Sequence, residues 1–189
     1  EWIGWQNTDD FYLPGTFRTF EKAIRSNPDA EVLYGDIFLV DGDENELSKL
    51  YYTEPFFATD FLQRRRGILP ASNQGAIIRT DALREIGGVS EQLEYIVDVD
   101  LFAKLLERNN EWVHLPEFVA AHRNHETDDE MAEIVRERWG EYYEIHAYPA
   151  IEEQLPESLL RVVGKALKAG KLLQEGRLEA FEYKFEERF

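Results

Sequence analysis

The feature that most constrains the fold of this chain is the alternation of short apolar segments with segments of helical periodicity. The apolar runs have the length of strands, and the stretches between them carry apolar residues three or four positions apart. The strand-like segments are WIGW at 2–5, EVLYGDIFLV at 31–40, GAIIR at 75–79 and WVHLPEFVAAH at 112–122. This alternation predicts an α/β fold, in which helices pack against a sheet.

Local signals predict where several of these elements begin and end. Pro14 is expected to open a helix that ends near Asn27. Thr80 is expected to cap a short helix that stops at the glycine pair 87–88. Pro116 is expected to split the last strand-like segment into two short strands.

Two further helical patterns lie towards the end of the sequence. The first runs from Thr127 to about His146, and the second follows Pro149. In the second, leucines recur near helical spacing with lysines between them, which predicts packing on its own domain or on a partner subunit. A helix that lies on a membrane surface is the alternative.

The net charge excludes several classes of partner. The chain has 38 acidic and 21 basic residues, a formal net charge of −17, which argues against unaided binding to nucleic acid or anionic lipid. The acidity also fits a high-salt cytoplasm, where salt screens self-repulsion. No apolar run approaches the roughly 20 residues that span a bilayer. We expect a cytoplasmic location, with the inner face of the membrane as the alternative.

Asp9 and Asp10 follow directly after the first strand-like segment. In open α/β sheets ligands bind beyond the carboxyl ends of strands, so this pair stands where a ligand is expected. Adjacent carboxylates repel each other, and a hard cation such as Mg²⁺ or Mn²⁺ is a reason to hold them together. The alternative is that one of them caps the next helix or lies in a solvated turn. For a pair of aspartates considered alone, helix capping or a solvated turn is commoner than a metal site.

A second pair of carboxylates, Asp98 and Asp100, precedes an amphipathic helix. Its apolar face is formed by Leu101, Phe102, Leu105 and Leu106. Carboxylates at this position favour the helix by capping and by opposing its dipole. A carboxylate at such a junction can also act as a general base that takes a proton from a substrate hydroxyl. Both interpretations can hold together.

The third group of candidate functional residues lies in HRNHET. Arg123 and His125 alternate along this extended segment, so their side chains point the same way. A histidine there could join two carboxylates as a metal ligand, and an arginine could hold a diphosphate. Taken singly, each residue is more often an ordinary solvated side chain.

Five motifs stand in an order that strongly resembles the second half of an inverting family 2 glycosyltransferase of the GT-A fold. They are NTDDFYLPGTF, VLYGDIFLVDGD, GAIIRTDALREIGGVSEQL, DVDLFAKLL and HRNHET, and the resemblance covers residues 1–146. It implies an incomplete GT-A domain, a Rossmann-like nucleotide-diphospho-sugar transferase, at 1–148 and a helical C-terminal extension at 149–189. In that family a nucleotide-binding half comes first, so we expect this chain to be a fragment that is inactive alone.

The resemblance also implies roles for individual residues. In that family the aspartates matching Asp9 and Asp10 bind the metal, Mg²⁺ or Mn²⁺, that holds the nucleotide diphosphate. The carboxylate matching Asp98 is the base that activates the acceptor hydroxyl. His125 would add a metal ligand, and Arg123 would steady the donor diphosphate or position the preceding loop. The residues expected on the acceptor side are Asn73, Gln74, Arg79 and Asp100.

The implied reaction is the transfer of a sugar, with inversion, from a nucleotide-diphosphate sugar to a saccharide or lipid-linked acceptor. Asn7 departs from the family pattern, because an acidic residue often stands there, and its amide would contribute less charge to a metal. The alternatives are a non-catalytic carbohydrate-binding or scaffold module that retains the fold, and a metal-dependent phosphotransferase or nucleotidyltransferase. We also expect self-association through an exposed sheet edge or the C-terminal helix.

Overall fold

The computed structural model describes residues 1–55, 70–93, 96–108, 111–124 and 157–180, and within them it has six strands and four helices. The strands are β1 (Trp2–Gly4), β2 (Phe11–Tyr12), β3 (Val32–Val40), β4 (Glu46–Leu50), β5 (Ala76–Arg79) and β6 (Trp112–Arg123). The helices are α1 (Thr16–Ser26), α2 (Thr80–Glu85), α3 (Val97–Glu107) and α4 (Glu157–Gln174). The predicted α/β class is confirmed, and the helix predicted at 127–146 lies outside the described residues.

The strands form one mixed sheet in the order β1–β5–β3–β6–β2. β3 runs parallel to β6 along its whole length. The other side of β3 is shared by β5 and β4, both antiparallel to it. Because β5 is also antiparallel to β1, the strands β1, β3 and β6 run in one direction and their carboxyl ends face the same way. The segment containing Asp9 and Asp10 begins at this end of the sheet.

The core forms around β3, which reads as a nearly continuous apolar run. Such a run is typical of a central strand that is covered on both faces. Helix α3 packs its predicted apolar face against this strand, and α1 adds one large aromatic side chain. The buried side chains include Val32, Leu33, Tyr34, Phe20, Leu101, Phe102 and Leu105.

Strand β1 forms one edge of the described sheet. The side chains of Ile3 and Trp5 are exposed there, at 41% and 37%. A cavity of about 380 Å³ lies beside this edge, lined by Ile3, Gly4, Trp5, Asn73, Val89, Leu101 and Phe102 among others. An edge strand offers unpaired backbone groups to another strand. The self-association predicted for a sheet edge stays a prediction.

Pro116 does not divide the last strand, so the prediction of two short strands is wrong. The register of β6 against β3 shifts: Gly35 pairs with Leu115, whereas Asp36 pairs with Phe118. Pro116 and its neighbour are the extra residues of a bulge. A proline at a bulge removes no hydrogen bond from the ladder, so the strand continues on both sides of it.

The bulge requires a glycine on the facing strand. A Cβ atom at Gly35 would lie 2.6 Å from the backbone oxygen of Glu117 and 2.6 Å from a methyl group of Val119. We expect Gly35→Ala to lower the free energy of unfolding, measured in urea, by about 1–3 kcal/mol, the usual cost of overpacking. Gly42→Ala is the matched control, since nothing lies within 4 Å of its added atom. Equal stability of the two variants would contradict the close approach of the strands.

Helix α2 begins differently from the prediction but ends as expected. The N-cap residue is Arg79, not Thr80. Thr80 is the first helical residue, and its hydroxyl donates to the backbone oxygen of Glu1 at 3.0 Å. Gly87 and Gly88 follow the helix with φ angles of 79° and 72°. The predicted glycine stop is thus confirmed, because this backbone region is costly for residues with a Cβ atom.

The C-terminal segment packs on the sheet. Leu172 in α4 is buried against Tyr51, and Arg177 forms an ion pair with the buried carboxylate of Asp36 in β3. These contacts join part of the predicted helical extension to the sheet. No helix in the described part of the chain combines the length and the apolar character needed to cross a bilayer.

Candidate functional site

Asp10 lies at the centre of a hydrogen-bond network beyond the carboxyl end of β1, and its side chain is fully buried. Its Oδ1 atom lies 3.1 Å from Nδ1 of His122 and accepts a bond of 2.8 Å from the backbone N–H of Arg123. Its Oδ2 atom accepts bonds of 2.9 Å from the side-chain amides of Asn7 and Gln74. Each carboxylate oxygen therefore has two partners, which is the arrangement that buried charge requires.

The amide of Gln74 is held in one orientation by its neighbours. Gln74 sits in the 3₁₀ turn Asn73–Gly75 that leads into β5. The hydroxyl of Ser72 donates to its Oε1 atom, so its amino group must face Asp10. Ser72 also acts on the buried phenol of Tyr52, whose pKa is raised by burial. Ser72 and Gln74 thus form a buried polar chain that ends on Asp10.

His122 reaches Asp10 because of the register of β2 against β6. β2 begins directly after Asp10, and Phe11 pairs with Ala121 in the antiparallel ladder. That register places Asp10 opposite His122. The sequence pattern instead predicted His125, which lies outside the described residues. Only the pairing of β2 with β6 identifies His122, and no local pattern carries that information.

Arg123 holds the surrounding loops together. Its Nε atom donates to the backbone oxygen of Asp9 at 3.1 Å. Its two terminal nitrogens bind the backbone oxygen of Gly42 and the carboxylate of Glu44, in the turn between β3 and β4. The guanidinium is thus occupied by the chain itself. This arrangement fits the loop-positioning role predicted for Arg123 better than a direct contact with a donor diphosphate.

The groups around Asp10 do not fit a divalent cation. The amino group of Gln74 donates to Asp10 and cannot coordinate a metal. His122 Nδ1 is already in contact with Asp10 and with that amino group. Asp9 is exposed, and its backbone oxygen accepts a hydrogen bond from Arg123. Among the described residues, no three histidine, aspartate or glutamate side chains are grouped to hold a metal. The described residues therefore do not fit the predicted Mg²⁺ or Mn²⁺.

Asp98 lies in the first turn of α3, where its Oδ1 atom accepts a hydrogen bond of 2.8 Å from the backbone N–H of Val99. Burial raises the pKa of this carboxyl above its ordinary value. Its charge acts on the phenol of Tyr52 and raises that pKa as well. Asp98 shares a helix face with Leu101 and Phe102, which line the cavity beside β1. It therefore lies one helical turn before the residues of α3 that line this cavity.

The residues predicted for the acceptor side lie in different parts of the structure. Asn73 lines the cavity beside β1. Gln74 faces Asp10. Asp100 is fully buried and ties α3 to the preceding loop, accepting from Ser90 at 2.6 Å and pairing with Lys104 at 2.8 Å.

Arg79 is not brought to this site. It stands at the opposite end of the sheet, because β5 runs antiparallel to β1 and pairs Arg79 with Trp2. There its guanidinium forms ion pairs with Glu31 and Asp81. Sequence proximity to Gln74 suggested a shared role, but a strand of four residues separates the two positions.

Comparison with known proteins does not identify a family. No protein-family model matches the sequence, and no curated protein matches it. The glycosyltransferase resemblance therefore rests on the five motifs and their order.

Proposed function

We propose that this chain belongs to an inverting transferase that moves a sugar from a nucleotide-diphosphate sugar to an acceptor hydroxyl, with Asp98 as the general base. The observation that carries the proposal is the position of Asp98, a carboxyl with a raised pKa in the first turn of α3, one helical turn before Leu101 and Phe102, which line the cavity beside β1. A base next to a cavity and a second, anchored carboxylate beyond the end of β1 fit a two-substrate site. The GT-A assignment is part of this proposal and rests on the order of the motifs.

In the proposed reaction the acceptor oxygen attacks the anomeric carbon while Asp98 takes the hydroxyl proton. The new bond joins the acceptor oxygen to the sugar carbon, and the bond from that carbon to the diphosphate oxygen breaks. The nucleoside diphosphate leaves with the bonding electrons. Because the acceptor enters opposite the leaving group in a single displacement, the anomeric configuration inverts. A raised pKa suits this role, because it brings the base closer to neutral pH.

The cavity beside β1 is a suitable acceptor site. It adjoins α3 one turn after Asp98 and combines the apolar side chains of Trp5 and Phe102 with the amide of Asn73. Binding sites for small molecules commonly pair an apolar lining with a few polar groups that fix orientation. A saccharide or a lipid-linked saccharide fits this chemistry.

The anomeric configuration of the product tests this proposal. The protein is incubated with a panel of nucleotide-diphosphate sugars and a saccharide acceptor, and nuclear magnetic resonance gives the anomeric configuration of the product. We expect transfer with inversion from at least one donor. A product with retained configuration would rule out a single displacement assisted by Asp98. No transfer from any donor would favour the alternative below.

The alternative, a non-catalytic carbohydrate-binding or scaffold module, is favoured by one observation. The guanidinium of Arg123 and both oxygens of Asp10 are occupied by contacts within the chain. Stabilisation of the loops is sufficient to account for such a network, without any ligand. Saccharide binding without any turnover of a sugar donor would support this alternative.

A further inference from the structure

We propose that two copies of this chain associate through β1, whose strands pair antiparallel about a twofold axis that passes beside Ile3. This inference goes beyond the proposed function and does not depend on it, because it rests on the open edge of the sheet alone. The occupant of that edge is a second copy of the same strand.

The backbone groups of Trp2 and Gly4 point away from the described sheet. The N–H of Thr80, the residue after β5, donates to the backbone oxygen of Glu1 at 3.0 Å. Positions with and without ladder hydrogen bonds alternate along an antiparallel pair of strands. Ile3, two residues after Glu1, therefore directs its N–H and C=O towards β5. Trp2 and Gly4 direct theirs to the other side, where no described strand pairs with β1.

Apolar grooves lie on both faces of this edge strand. On one face is the cavity beside β1, to which Ile3 and Trp5 contribute. On the other face a groove of about 510 Å³ lies between β1 and α1, and its apolar lining consists of Trp2, Tyr12, Phe17, Phe20, Ile24 and Ile77. A strand added to the edge sends alternate side chains to the two faces. Apolar residues at successive positions of the added strand would therefore cover both grooves.

The sequence of β1 has this composition, so the strand can cover its own edge in a second copy. Antiparallel pairing about Ile3 places Trp2 of one copy opposite Gly4 of the other. Both residues point their backbone groups outwards, so they exchange hydrogen bonds across the axis. The indole then covers the glycine, as in the aromatic rescue of a strand glycine. The net charge of −17 opposes association, but β1 itself contains no charged residue.

The charges beside the groove fit the same twofold pairing. Glu21 and Arg25, one turn apart on α1, both line the groove. The first turn of α1 lies at the Gly4 end of β1, because it packs on Tyr12, whose hydroxyl lies beside Gly4. The end of α1 leads to β3, which starts at the Trp2 end of the sheet. A twofold axis reverses this order in the second copy, so unlike charges stand on the same side of the axis and favour this orientation.

The other edges of the described sheet are less suited to pairing. β2 has only two residues. β4 carries Glu46 and Lys49, whose side chains form an ion pair of 3.5 Å. Charged side chains on an edge strand oppose its pairing with another strand. The uncharged strand β1 is therefore the edge that a second copy would use.

Sedimentation equilibrium over a range of protein concentrations tests this pairing, and we expect a monomer–dimer equilibrium for the wild type. In Ile3→Lys the dissociation constant should rise about tenfold or more, because two like charges then stand directly opposite each other at the axis. Leu47→Lys is the matched control, since Leu47 in β4 is 42% exposed and Ile3 is 41% exposed. It should associate like wild type.

A mixture of two variants tests the register itself. Ile3→Lys and Ile3→Glu should each associate weakly alone, whereas an equal mixture should form a heterodimer, because unlike charges then meet at the axis. Recovery in the mixture also shows that both variants are folded. Three results would overturn the proposal: a wild type that is monomeric at every concentration, an Ile3→Lys variant that associates like wild type, or a mixture that associates no better than its components. Sugar transfer is a separate measurement, so none of these results decides the transferase proposal.

Discussion

Replacing Asp98 with asparagine is expected to reduce sugar transfer about 100-fold or more and, at neutral pH, to make the fold more stable. The loss of transfer follows from the loss of the general base, which typically contributes about 10²–10⁴ to the rate. The gain in stability follows from the burial of the carboxylate, which raises its pKa in the folded state. A side chain that costs stability and supports turnover is the signature of a functional site.

The pH dependence of this gain has a defined sign. The pKa of Asp98 is raised above 3.8 in the folded chain and stays near 3.8 in the unfolded chain. Below pH 3.8 the carboxyl is protonated in both states and imposes no penalty. As the pH rises through the folded-state pKa, the folded chain must bury a charge and loses that stability. The stability difference between Asp98→Asn and wild type should therefore be small below pH 3.8 and grow as the pH rises.

Urea unfolding of both proteins across this pH range measures the effect. Asp81→Asn is the matched control, since the hydrogen bond from Arg79 lowers the pKa of Asp81 in the folded state. Its carboxylate therefore favours folding above pH 3.8, and its removal should not stabilise the protein at neutral pH. An Asp98→Asn protein that transfers sugar like wild type would remove the base from the proposed mechanism. Loss of stability at pH 7 would contradict the burial of its charge.

Replacing Arg177 with methionine is expected to lower the free energy of unfolding by about 3–5 kcal/mol, the usual cost of leaving a buried charge without its partner. The side chain of Asp36 is fully buried, and that of Arg177 is 9% exposed. His114 and the backbone N–H of Tyr52 also bind Asp36, each at 2.9 Å. These two bonds remain in the variant, but the arginine charge that compensates the carboxylate is gone.

Chemical denaturation measures this loss, and two variants interpret it. Arg25→Met breaks an exposed pair with Glu21 and should cost no more than about 0.5 kcal/mol. The double variant Asp36→Asn/Arg177→Met removes both charges and should recover part of the stability. If Arg177→Met costs no more than Arg25→Met, the C-terminal segment does not contribute to the core as the ion pair indicates.

The helices and strands were largely predictable because their signals are local. The helix after Pro14, the strand within 31–40 and the glycine stop after α2 all follow from periodicity and backbone preference. The wrong predictions concern residues whose local structure depends on a partner far away in the sequence. Pro116 is tolerated inside β6 because it lies in a bulge against β3, where Gly35 leaves room for Glu117 and Val119. Thr80 does not cap α2 because its hydroxyl binds Glu1.

The candidate site was predictable only in part. The sequence placed Asp10 and Asp98 at the ends of elements, where both are found. It did not indicate His122, Ser72 or Tyr52. Each of these joins the site through strand register or through a turn that folds back from another part of the chain. A motif contains residues of one segment, whereas this site combines residues from five separate segments.

The sequence by itself determined the α/β class, most of the elements and the positions of the carboxylates, because spacing and backbone preference act within a few residues. The tertiary structure alone decided which side chains meet. His122 lies 112 positions from Asp10, and Arg177 lies 141 positions from Asp36. Such pairs depend on the register of whole strands and on the docking of a helix. They form because burying a charge far from water is costly until a partner from elsewhere in the chain compensates it.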